Sequence, residues 1–253
     1  MVRRTQEQQA VFWDVHSGLP REGPGSTETT TRALELAAPV SRFANVLDIA
    51  SGPGAQTIDL ARLLPEATIW SIDTHQPFVD ETNRRAAALG VGHRVKALSG
   101  DMRSLQFPQS AFDLVWCEGA AYFMGIESAL RAWKPLLRPG GRLALSEAVW
   151  LSSNPPGEAL RDWSDYPAMA DVRHWRDVVR ANGYELLGDF VLPDAAWWEY
   201  YTPMQERLRI LAPKYAGDAD AEAVLKDCAD EIAAYRDHGM HFGYVFFVMG
   251  LSD

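Results

Sequence analysis

From Asn45 onward short apolar runs alternate with helical stretches, and this alternation restricts the possible folds more than any other feature of the chain. The segments NVLDIA (45–50), ATIWSID (67–73), RVKALSG (94–100), FDLVWC (112–117) and GRLALSEAV (141–149) read as strands. Helices are expected between them at about 54–64, 76–89 and 126–137. Strands separated by helices pair in parallel, because each parallel neighbour needs a crossover. A further helix near 171–182 stops at Asn182-Gly183, a good C-terminal signal, and YELLGDFVL (184–192) follows. The stretch 194–242 is helical in pattern and rich in aromatics, and GYVFFVMGL (243–251) reads as an isolated apolar strand, as if a final hairpin closes one edge of the sheet. Ahead of the alternation lie a polar helix (about 4–14), a loop containing GLPREGPGS (18–26) and a helix from about Thr27. Ser26 or Thr27 can cap that helix, with Glu28 at the positive end of its dipole.

Length and charge narrow the reading. At 253 residues and 47% hydrophobic, the chain can bury one large α/β core. The formal charge of −10 argues against a phosphate-tracking surface, and so against nucleic acid. No apolar run reaches transmembrane length, and MVRRTQEQQA lacks the apolar stretch of a signal peptide. Two cysteines, Cys117 and Cys228, suit a reducing compartment. The expectation is a cytoplasmic protein with no membrane partner; the sequence does not fix its oligomeric state.

The first strand runs into Asp48-Ile-Ala-Ser51-Gly52-Pro53-Gly54-Ala-Gln56-Thr57 and then a helix. Glycines there let the backbone approach a ligand at the carboxyl end of a strand. Thr57 stands where the dinucleotide fingerprint G-x-G-x-x-G needs its third glycine. Asp48, four positions before Gly52, would repel a pyrophosphate but attract an ammonium group. Asp73 ends the second strand and can take both ribose hydroxyls, a role shared by dinucleotide and S-adenosylmethionine sites. Gly100-Asp101-Met102 closes the third strand, where the acid can accept from the amine of adenine and the thioether can cover the ring.

These residues resemble class I S-adenosylmethionine methyltransferases. VLDIASGPG (46–54) is similar to their first motif, Asp73 to their second, Asp101 to their third, and LLRPGGRLALSE (136–147) to the turn and strand that follow the fourth helix. REGPGSTETT (21–30), WCEGAAYFMG (116–125) and the tail YYTP…GYVFFV resemble a bacterial subgroup acting on small molecules, in which the GPGS segment helps cover the cofactor. The resemblance implies a Rossmann-like, seven-stranded, mostly parallel sheet with an antiparallel last strand and helices on both faces. It implies one domain over 1–253, with 1–40 as a helical cover and 194–242 as a helical insertion on the substrate side. The implied activity is methyl transfer from S-adenosylmethionine to a small-molecule acceptor. The implied cofactor site comprises Ser26, Asp48, Ser51, Gly52, Gly54, Gln56, Asp73, Thr74, Asp101, Met102 and Glu118. Glu118 and Tyr122 are the implied catalytic residues, and Trp198 and Tyr201 the acceptor-side ones.

Several signals stay open on sequence alone. Glu118 can bind the cofactor's amino group, accept a proton or cap the next helix. His16, Glu118, Tyr122 and His241 are candidate bases, and Glu147 is a buried acid awaiting a partner. The aromatics Trp197, Trp198, Tyr200 and Tyr201 suit either core or pocket. Asn154-Pro155-Pro156-Gly157 lacks the aromatic of the base-methylating motif and reads as a solvent loop. His238 and His241 have no further ligand at metal spacing, so no metal is expected. Two alternatives to an active methyltransferase remain: a non-catalytic S-adenosylmethionine-binding sensor or partner, and a nicotinamide-dependent oxidoreductase.

Overall fold

The computed structural model describes residues 4–252. Two helices come first, α1 (Gln6–His16) and α2 (Thr27–Leu36), each opened by a capping box, at Thr5 and at Ser26. The alternation then runs β1 (Asn45–Ile49), α3 (Ala55–Leu63), β2 (Thr68–Asp73), α4 (Gln76–Ala88), β3 (Val95–Ser99), β4 (Phe112–Glu118), α5 (Ile126–Trp133) and β5 (Leu137–Trp150). The remainder is α6 (Gly157–Asp162), β6 (Ala170–Asp171), α7 (Val172–Ala181), β7 (Tyr184–Val191), α8 (Asp194–Leu211), α9 (Ala219–His238) and β8 (Phe242–Leu251).

The sheet order is β3-β2-β1-β4-β5-β8-β7, with the first five strands parallel and β8 antiparallel to both its neighbours. β8 lies between β5 and β7, so the antiparallel pair β7–β8 closes this side of the sheet, with β7 outermost. The unbroken apolar run of β8 follows from this, since an interior strand covered on both faces has no solvent side to alternate toward. The sheet also has an eighth strand, the two-residue β6, which pairs with the end of β5. Similarly, the helix expected over 126–137 ends at Trp133 in a 3₁₀ turn, Lys134–Leu136. Pro135 has no amide hydrogen with which to continue the helical ladder.

Alternate residues of each strand feed two cores. Val46, Leu114, Trp116, Ala144 and Phe246 face α1, α2, α3, α8 and α9; Leu47, Val115, Leu143, Val245 and Phe247 face α5 and α7. Helices therefore flank both faces, as expected.

Candidate active site

The loop after β1 is built from left-handed backbone. Ala50 (φ 55°), Gly52 (φ 55°) and Gly54 (φ 84°) all lie there, and an alanine in that region carries strain. Gly54 is the N-cap of α3, and a Cβ on it would stand 2.4 Å from Thr82 Oγ1. The Asp73 carboxylate holds the loop from the side: Oδ2 accepts the Gly52 amide at 2.8 Å and Oδ1 the His75 amide at 2.9 Å. The Ser51 hydroxyl receives a hydrogen bond from Ser71 Oγ at 2.6 Å. Below the loop Asp48 is fully buried. Thr57 donates to it at 2.5 Å, and Gln56 at 3.4 Å while also reaching the Ser51 carbonyl at 3.0 Å. Burial pushes the Asp48 carboxyl up to about 8, against the Thr57 hydrogen bond, with the charge of Glu118 adding to the rise.

The segment between α1 and α2 packs down onto this loop. Arg21 donates to Glu118 Oε2 at 2.9 Å, with both side chains 6% exposed. Trp116 Nε1 and Thr30 Oγ1 donate to Glu118 Oε1 at 2.8 and 3.3 Å. Burial raises the Glu118 carboxyl despite the Arg21 guanidinium beside it. Of the three roles open to Glu118, helix capping is excluded, because Ala120 is the cap residue of the next turn and receives no side-chain bond. Glu22 lies over the glycine loop, and a Cβ on Gly52 would come within 3.2 Å of its Cγ. His16 Nδ1 and Glu22 Oε2 are 2.5 Å apart, while His16 Nε2 and Glu22 Oε1 are buried without partners. Gly25 donates its amide to the Ala196 carbonyl at 3.0 Å, tying the cover to α8.

The remaining expected site residues are spread around this centre. Ser26 is buried, with its hydroxyl taking the Thr29 amide at 3.1 Å as the cap of α2. Thr74 is exposed beside Asp73. Asp101 is half-buried and accepts the Arg103 amide at 2.9 Å, and the Met102 carbonyl takes Trp133 Nε1 at 3.3 Å. Tyr122 stands after β4 with its ring 5.4 Å from that of Tyr166. Tyr201 is buried and donates to Glu231 Oε1 at 3.2 Å. Trp198 is half-buried, with its indole turned to Asp194 on its own helix at 3.2 Å. His238 pairs with Asp162 at 2.8 Å, away from these groups.

Sequence reasoning took Arg21–Ser26 as a covering loop without assigning a role to Arg21 or Glu22, and it did not single out Tyr166, Glu231 or Tyr244. It read Thr57 only as an absent glycine, although the threonine hydroxyl is what satisfies Asp48. A charged residue inside an apolar strand, as at Glu147, was the one available signal of a buried polar centre.

Parallel strands wound with helices on both faces, an antiparallel pair at one end and strand-end acids around a glycine loop define the class I methyltransferase fold. Residues 46–141 match the family described as a methyltransferase domain. The chain is 34% identical over 122 residues to nocamycin O-methyltransferase of Saccharothrix syringae, covering 47% of this chain and 41% of that protein. It is 35% identical over 103 residues to demethylmenaquinone methyltransferase of Thermus thermophilus, covering 40% and 46%. The chain spans about half the length of the curated relatives it matches. Among solved structures, a methyltransferase from Thiobacillus denitrificans bound to S-adenosylhomocysteine superposes with TM-score 0.83 at 22% identity, covering 95% and 98%. The [4+2]-cyclase SpnF superposes with TM-score 0.76 at 21% identity, covering 100% and 98%. No helix of the described residues is long and apolar enough to cross a membrane.

Proposed function

We propose that this protein is a cytoplasmic enzyme that transfers a methyl group from S-adenosylmethionine to a small-molecule acceptor. The observation that carries the reading is the Asp73 carboxylate at the end of β2, bonded to the Gly52 and His75 amides beside a left-handed glycine loop. Each carboxylate oxygen has a second lone pair with which to meet a ribose hydroxyl. The orphaned atoms of His16 and Glu22 lie over the same loop and fit a polar ligand seated beneath the cover.

When bound, S-adenosylmethionine supplies a sulfonium-activated methyl group. The chain's part is mainly to place a nucleophile in line with that carbon, and positioning of this kind can lower a barrier by about 7–11 kcal/mol. Asp73 would hold the ribose, with Ser51, Gly52, Gly54 and Gln56 around the amino-acid portion and Asp101 and Met102 around the adenine. Glu118 and Arg21 form a neutralised pair at the end of β4 that fixes the cover over the site. Tyr122 on the turn after β4, with Trp198 and Tyr201 on α8, would border the acceptor. Closing the cover excludes water from the transfer.

Calorimetric titration with S-adenosylhomocysteine and with NAD tests the cofactor, and labelled S-adenosylmethionine with a metabolite extract tests turnover. Tight NAD binding without S-adenosylhomocysteine binding would return the chain to the oxidoreductases. A second reading is a non-catalytic S-adenosylmethionine-binding sensor or partner; a cyclase shares the fold, so the fold by itself does not require methyl transfer. Binding of S-adenosylhomocysteine with no methylated product from any extract would support it.

A further inference from the structure

Asp48 on β1, Asp73 at the end of β2 and Glu118 at the end of β4 are all engaged by the protein itself. Asp48 is fully buried below the glycine loop, bonded to Thr57 at 2.5 Å and Gln56 at 3.4 Å. With its carboxyl pushed up to about 8, it carries little charge at neutral pH. Glu118 is held by Arg21, Trp116 and Thr30, and the Arg21 guanidinium neutralises it. Asp73 binds the Gly52 and His75 amides and is the acid that the methyl-donor reading gives to the ribose. Glu22, from the segment between α1 and α2, is different. Its Oε2 meets His16 Nδ1 at 2.5 Å, while Oε1 is buried with no hydrogen-bond partner. His16 is 4% exposed, and its Nε2 is likewise unpartnered. The pair is thus incomplete at both ends, the state of a site that a ligand fills.

Glu22 rests on the glycine loop itself: a Cβ on Gly52 would lie 3.2 Å from its Cγ and 3.5 Å from its Cβ. Contacts on either side hold the pair there. Arg85 of α4 donates to the Pro20 carbonyl at 2.8 Å and to the Leu19 carbonyl at 3.2 Å, fixing the chain just before Glu22. Trp13 of α1 stacks on His75 with ring centroids 3.8 Å apart, and Phe12 stacks on His16 at 4.0 Å. The Glu22 side chain keeps 20% exposure and that of His16 only 5%, so the carboxylate is the accessible end of the pair. A buried acceptor oxygen costs free energy unless a donor meets it, and a carboxylate is met best by a cation that carries N–H groups. The ammonium of an amino acid is such a group, with three donors. Burial raises the Glu22 carboxyl, the His16 hydrogen bond opposes the rise, and an arriving ammonium would oppose it further.

We propose that Glu22 receives the ammonium of the methyl donor's amino-acid arm at the glycine loop, and that His16 is a positioning residue that holds the carboxylate through Nδ1. This rests on the methyl-transfer reading, which puts Ser51, Gly52, Gly54 and Gln56 around that arm. The ammonium is bound from the cover, by Glu22 in place of the Asp48 that the sequence suggested for it. The cover thereby recognises the methyl donor itself, and its seating on the loop depends on the amino-acid arm as well as on the nucleoside.

The test is calorimetric titration of the full chain with three ligands. They are S-adenosylhomocysteine, its deaminated analogue, in which hydrogen replaces the amino group, and 5′-methylthioadenosine, which lacks the amino-acid arm. The unaltered protein should bind S-adenosylhomocysteine at least about tenfold more tightly than the deaminated analogue. Glu22→Gln should weaken S-adenosylhomocysteine by about tenfold or more and leave the other two ligands within about threefold, so that the preference for the amino group collapses. Glu22→Asp keeps the charge but withdraws it by a methylene; it should reduce the same preference, and it carries the comparison if Glu22→Gln does not fold. His16→Phe keeps a ring against Phe12 and removes the Nδ1 donor. It should reduce that preference too, whereas a merely structural role would weaken all three ligands together. Equal affinity of the unaltered protein for S-adenosylhomocysteine and its deaminated analogue overturns the proposal. So does a Glu22→Gln protein that binds all three ligands normally or weakens all three alike, and either result leaves the methyl-transfer reading standing. Failure to bind S-adenosylhomocysteine at all would defeat that reading and the proposal with it.

Discussion

The Asp73 carboxylate accepts the Gly52 amide at 2.8 Å, so the acid of one strand end sets the conformation of the loop at the next. On the proposed reading the same carboxylate also meets the ribose. Asp73→Ala should therefore cost about 1.5–3 kcal/mol in S-adenosylhomocysteine binding, roughly tenfold to more than a hundredfold in dissociation constant. Calorimetry measures this directly. Asp73→Asn, which keeps an acceptor for the Gly52 amide, should fold normally and still bind weakly.

Arg21 and Glu118 form an ion pair with each side chain only 6% exposed. Removing one partner of such a pair typically costs about 3–5 kcal/mol, because the other charge stays buried and uncompensated. Arg21→Ala should thus destabilise the fold strongly, and adding Glu118→Gln should restore part of the loss. Urea unfolding of the two single variants and the double variant reads the coupling. Glu118→Gln alone should also lower turnover at least about tenfold, since it frees Arg21 and loosens the cover.

Acid–base behaviour follows from Asp48. Its carboxyl titrates near 8 when folded, against an ordinary 3.8, because of burial. Between about pH 4 and pH 8 the folded state holds a proton that the unfolded state has lost, so stability falls as pH rises through that window. Its contribution is fully present below about pH 4 and lost above about pH 8. The melting temperature of the ligand-free protein should decline across that range. Asp48→Asn should flatten the decline, leaving the part owed to Glu147, which titrates in the same window.

On α8, Tyr201 is buried with its hydroxyl on Glu231, whereas Trp198 is half-buried with its indole on Asp194. Tyr201→Phe removes one hydroxyl and leaves the ring. It should lower acceptor methylation sharply while S-adenosylhomocysteine affinity stays within about threefold, less than 1 kcal/mol. Trp198→Ala should act in the same direction but more weakly, through loss of the edge-on packing against Tyr201. Steady-state kinetics with a methylated substrate separates the two. Equal loss of cofactor and acceptor binding in Tyr201→Phe would make that residue part of the core.

The alternating strands and helices over 45–150 were legible because each strand is a short apolar run closed by a turn residue. The acids Asp48, Asp73 and Asp101 stood out for a similar reason: a carboxylate within or just after an apolar run needs a polar partner. Which strand of the closing pair lies outermost was not legible, because an apolar run like β8 is equally at home in the middle of a sheet or under a covered edge. Partners that meet only in three dimensions were also hidden. Nothing in the local pattern around Arg21 points to Glu118, 97 positions later, and Glu231 lies on a long helix where one acid among many carries no distinguishing mark. Thr57 shows a subtler limit. A position judged by the residue it lacked turned out to matter for the hydroxyl it has.

The interior place of β8 fixes the order in which the sheet can be completed during synthesis. Until residues 242–251 leave the ribosome, β5 has no partner on its far side and β7 has none at all. The nascent chain must carry the exposed edge of β5 through the making of α6 to α9, about a hundred residues of sequence. Premature termination anywhere in that interval would leave an open apolar edge competent to pair with another chain, so aggregation would be the natural fate of such a fragment.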